Sequence, residues 1–158
     1  MPLRAARHVP RRYPLLLGTF TLLFALRVLG QVVVGVREVG FLPPFERWYS
    51  GLLPYWLLLP AQIALIVLML KIVGDFVRGD GTFVDLKPRT GTILQVLGGI
   101  YFLSMVVRYV VTMALHPELR WFTGTIPIWF HFVLAAFIFT LGHYQVWRTA
   151  VSTQRPAP

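Results

Sequence analysis

A chain of 158 residues has the length of one domain, and 56% of it is hydrophobic against only 13% charged. That excludes a small soluble globule, which needs a polar exterior, and a disordered chain, which needs a polar composition. Lys and Arg number 15 against 6 Asp and Glu, and there is no cysteine, so disulfides, thiol nucleophiles, iron–sulfur clusters and cysteine zinc sites are excluded too. The four-helix thiol oxidoreductases of membranes fall with them.

What remains is an all-α integral membrane protein, a four-transmembrane-helix bundle forming a single membrane domain over residues 1–158. Its scattered cations read as topology signals and contacts to membrane lipids, not as a nucleic-acid surface.

The chain opens with a basic tail, residues 1–12, carrying Arg4, Arg7, Arg11 and Arg12. The first span is expected over residues 13–36. It is read as a retained helix and not a cleaved signal, because the apolar run is long and no small-residue cleavage pattern follows. The connector 39–51 is nearly as apolar as the spans, with Phe41, Leu42, Phe45, Trp48 and Tyr49 around Pro43-Pro44. It is expected to lie as an aromatic loop at headgroup level, or else to insert as a lid over the helices.

The second span is expected over residues 52–74, with Pro60 inside it. A polar connector follows at 75–91, where Gly79-Asp80-Gly81 points to a small hairpin or turn. The third span is expected over 92–115 and the fourth over 127–147, and the tail 152–158 is expected to be disordered.

With the N-terminus in the cytoplasm, ten Lys and Arg fall on the inner side and three (Arg37, Arg47, Arg120) in the outer loops. The positive-inside rule then places both termini in the cytoplasm and the protein in the cell membrane.

Polar groups inside the spans carry the functional reading, because an ionisable group in hydrocarbon needs compensation. Arg27 and Arg108 lie nine and seven residues before the outer ends of their spans, so roughly 13 and 11 Å deep. Gln31 stands one turn beyond Arg27. Tyr101, Ser104, Arg108 and Thr112 make a polar stripe on the third span, and Gln62 and His131 contribute from the second and fourth. One outer-half cluster of Arg27, Gln31, Gln62, Tyr101, Ser104, Arg108 and His131 is the economical arrangement. No Asp or Glu is expected within a span, so the arginines either reach loop acids (Glu38, Glu46, Glu118) or bind an anionic or carbonyl group.

His116, Glu118 and His131 are a further combination of metal-ligating types, and a His pair could hold one haem. The default for these histidines is an interfacial position, so no metal or other cofactor is expected, with haem or quinone as alternatives. No phosphate loop, nucleophile elbow or catalytic carboxylate pair occurs.

In size, basicity and four-span layout the chain is similar to the small membrane enzymes of glutathione and eicosanoid metabolism. Those bind an anionic thiol cofactor between subunits through arginines. Their second-helix pattern of Arg, Asn and Glu is absent, since Arg108 to Thr112 carries neither Asn nor Glu, so the resemblance covers architecture. The leading functional expectation is an accessory or scaffold subunit of a membrane complex, with a protein partner or a homo-oligomer implied. The alternative is a binding or transport module for an anionic lipid, quinone or small anion. A membrane enzyme acting on a lipophilic anion is the third.

Overall fold

In a computed structural model, residues 9–37, 48, 54–116 and 126–154 are described. They form α1 (Arg12–Val36), α2 (Tyr55–Arg78), α3 (Pro88–Leu115) and α4 (Ile126–Gln154), with no strand among the described residues. Each helix is long and apolar enough to cross a membrane, so this is an all-helical, multi-pass membrane protein.

The buried faces follow helical spacing. On α1, Tyr13, Leu17, Thr21, Phe24, Val28, Gln31 and Val34 recur at three or four residues and make one stripe. On α2 the stripe is Gln62, Met69, Ile72 and Phe76. The main core gathers Tyr13, Leu17, Phe24 and Val28 of α1 and Met69, Ile72 and Phe76 of α2 with Phe137, Leu141 and Tyr144 of α4 and Val84 of the α2–α3 connector, while Val34 packs with Trp48 and Ile126 in a second cluster.

α1 packs on α2 and α4, α4 packs on α3, and α2 and α3 make no backbone-level contact among the described residues. Three helices therefore build the core, and α3 lies outside it against α4 alone. Their seam is tight: an ideal Cβ on Gly98 would lie 2.7 Å from the Phe139 amide nitrogen, and one on Gly142 would lie 2.8 Å from the Gly91 carbonyl oxygen. Small residues at these positions let the two backbones approach.

Helix ends differ from the expected spans in a consistent way. α2 runs past residue 74 to Arg78, where Gly79 adopts φ 70° as a left-handed cap. α3 begins at Pro88, ahead of residue 92, because proline at the first helical position loses nothing. α4 continues to Gln154, so residues 152–154 of the expected disordered tail are helical, while 155–158 lie outside the described residues. Hydropathy marks the hydrocarbon stretch; the hydrogen-bonded helix runs on into polar residues at both ends.

One consequence is a correction. Asp75, expected in a connector, sits inside α2, only 1% exposed. Its carboxylate accepts from Arg78 (2.7 Å), Lys71 (3.3 Å) and the Phe83 N–H (3.4 Å). The connector is a turn and not a hairpin. It is clamped to α4, where Gln145 Nε2 donates to the Phe83 carbonyl (2.7 Å), and Arg148 pairs with Asp85 and donates to the Leu86 carbonyl (2.9 Å).

Candidate ligand-binding site

A cavity of about 300 Å³ opens between α1, α2 and α4, toward the end of the molecule away from the 79–87 connector. Its wall is mostly apolar: Phe24, Leu58, Ala61, Leu65, Pro127, Phe130 and Leu134. Three polar side chains break that wall, Arg27 from α1, Gln62 from α2 and His131 from α4. Their convergence follows from local spacing. Arg27 shares the inward face of α1 with Phe24 and Gln31, and Gln62 begins the inward stripe of α2. His131 lies one turn before Ala135, which is fully buried in α4.

Arg27 is 8% exposed. Its Nη2 donates to the Trp48 carbonyl at 2.7 Å, and its guanidinium lies 5.9 Å from the Phe130 ring centre, within cation–π range. Its Nε has no hydrogen-bond partner among the described residues. Trp48 is itself buried, with its ring against Gly30, where an added Cβ would come within 2.9 Å. The rest of the 39–51 connector lies outside the described residues, as do Glu38, Glu46 and Glu118.

Behind Arg27, Gln62 Nε2 donates to Gln31 Oε1 at 3.4 Å. That long bond leaves Gln31 Nε2 and Gln62 Oε1 buried and unpaired among the described residues. Three orphaned polar atoms thus stand in one region beside an apolar cavity. Such groups cost free energy unless something supplies the missing partner.

The expected cluster is assembled in part. Arg27, Gln31, Gln62 and His131 come together. Tyr101 joins from α3 through its hydroxyl, hydrogen-bonded to His131 Nδ1. Ser104 and Arg108 do not join: both are exposed on α3, where Ser104 donates to the Tyr101 carbonyl at 2.7 Å. Three-and-four spacing groups Tyr101, Ser104 and Arg108 on one side of α3, but only the Tyr101 end of that stripe reaches α4.

His116 is the exposed residue ending α3. His131 is held through Nδ1 by Tyr101, and among the described residues no three His, Cys, Asp or Glu converge as metal ligands. His143 hydrogen-bonds with the Tyr13 hydroxyl at 3.1 Å. The Asp75 network was also missed. Lys71 and Arg78, four residues before and three after Asp75, were the available signal, since those offsets share one helix face.

Comparison of the chain with family models, with curated proteins and with solved structures finds no match.

Proposed function

We propose that the protein binds a lipophilic molecule carrying an anionic or carbonyl oxygen, taken from the bilayer into the cavity between α1, α2 and α4. Arg27 carries this reading. A buried guanidinium whose Nε has no hydrogen-bond partner among the described residues, facing an apolar cavity, offers a donor that a carboxylate, phosphate or quinone oxygen satisfies.

The orphaned Gln62 Oε1 adds a second polar anchor, and the apolar wall takes the tail. Access comes from the side, because α2 and α4 flank α1 without backbone contact to each other. With both termini in the cytoplasm, the site faces the outer leaflet.

The test compares wild type with Arg27→Gln after delipidation, with a short-tailed benzoquinone or a single-chain carboxylate added. Wild type should gain thermal stability with free ligand over its dissociation constant, about 2.7 kcal/mol at a hundredfold excess. Empty Arg27→Gln should be as stable as empty wild type and should not respond. An identical response in both proteins sinks the proposal.

A second reading, an accessory subunit of a membrane complex, draws support from Arg108. It is exposed on a helix that packs against α4 alone, seven residues inside the helix end at Leu115. The sequence offers no Asp or Glu on the neighbouring stretch of α3 or α4. The fitting partner is therefore a membrane helix of another protein bearing a carboxylate at that depth. Arg108→Glu should abolish its co-purification, and a partner retained by Arg108→Glu ends this reading.

A further inference from the structure

The opposite end of the molecule holds a larger cavity, about 680 Å³, where α1 begins and α2 ends. Arg11 and Arg78 line it together with apolar Val9, Leu15, Phe76 and Val77. The charges around it do not balance. Lys71 and Arg78 together answer Asp75, and Arg78 also pairs with Asp80 at 3.4 Å. Arg11 and Arg12 have no carboxylate partner among the described residues, and the first turn of α1 contains no acid. The end of a membrane-crossing helix is where lipid headgroups lie, and each cation there attracts an anionic headgroup by about 1 kcal/mol.

We infer that this cavity is a headgroup site for an anionic phospholipid, with the phosphate between Arg11 and Arg78 and an acyl chain along Leu15 and Val77. Both of those side chains are exposed, on the adjoining faces of α1 and α2, so the apolar lining continues along the two helices from the charged end. That continuity selects a lipid over a soluble anion, which would gain nothing from it. The uncompensated Arg11 selects an anionic headgroup over a zwitterionic one, whose own cation would face a positive wall.

The site is separate from the cavity at Arg27, and the test keeps them apart. Native mass spectrometry of the full chain in mild detergent, titrated with phosphatidylglycerol or phosphatidylcholine, measures retained lipid. One phosphatidylglycerol should be held in preference to phosphatidylcholine. Arg11→Gln should weaken it about fivefold, the effect of one cation. Leu15→Asn should also weaken it, whereas Lys87→Gln, an exposed cation at the same end but outside the cavity, should not, and the same pattern should hold in an Arg27→Gln background. Inorganic phosphate should fail to displace the lipid. Equal retention of the two lipids, equal weakening by Arg11→Gln and Lys87→Gln, or displacement by inorganic phosphate would each overturn the inference.

Discussion

Gly98 of α3 faces the backbone of Phe139 on α4 so closely that an ideal Cβ would sit 2.7 Å from its nitrogen and 2.9 Å from its Cα. Backbone atoms cannot swing aside as a side-chain tip can, so this contact sets the distance between the two helices. Gly99, the next residue, has nothing within 4 Å of the same construction.

The adjacent glycines therefore make a matched pair. Gly98→Ala should lower stability by about 1–3 kcal/mol, the usual cost of overpacking, while Gly99→Ala should be neutral within about 0.5 kcal/mol. Thermal unfolding in detergent measures both. Equal effects would mean that α3 does not rest on α4 through Gly98.

The Gln31–Gln62 pair separates structural from binding polarity. Gln31→Leu alone should cost about 1–3 kcal/mol by stranding Gln62, whereas Gln31→Leu with Gln62→Leu should be near neutral or stabilising. The double variant should still lose ligand-dependent stabilisation, because Gln62 lines the cavity. A double variant that is stable and responds to ligand like wild type would make the pair purely structural.

At the other end, Gly81 has φ 107°, and any Cβ there would strike the Asp75 carboxylate. Gly81→Ala should destabilise by about 1–3 kcal/mol through backbone strain alone, with the clash adding to it. Asp75→Asn should cost less than the full loss of a buried pair, because Lys71 and Arg78 are half-exposed and return to water. Amide hydrogen exchange across residues 79–86 should rise in both variants. Unchanged exchange would show that the carboxylate does not organise the turn.

Sidedness has a direct readout in a chain without cysteine. Thr82→Cys, exposed in the α2–α3 connector, and Thr123→Cys should react oppositely with an impermeant thiol reagent added outside intact cells. Only Thr123→Cys should label. Gly79 is unsuitable for labelling because it is buried and left-handed.

The number of helices and the inward polar groups of α1 and α2 were legible in sequence because both depend on local composition and spacing. A long apolar run makes a span, and Arg27 and Gln31 share a face at a spacing of four. Arg108 shows where that reasoning stops. Periodicity states which residues share a face of α3, but tertiary packing decides how far along the helix that face is covered. The fastening of the connector was not legible for another reason. Its hydrogen bonds run to α4, some 60 residues later in the chain, as in Gln145 to Phe83 and Arg148 to Leu86, and no local pattern announces such partners.

The clamp between that connector and α4 bears on how the chain assembles during synthesis. α1 and α2 can pair as soon as both are in the bilayer, since they pack directly. α3 has only α4 to rest on, and the turn leading into it is fastened by Gln145 and Arg148, near the far end of the last helix. α3 therefore has no helix partner among the described residues until α4 follows it into the bilayer. α4 joins α3 to α1, and a nascent chain halted before Ile126 would hold a paired α1–α2 and an α3 tied to them only through the connector.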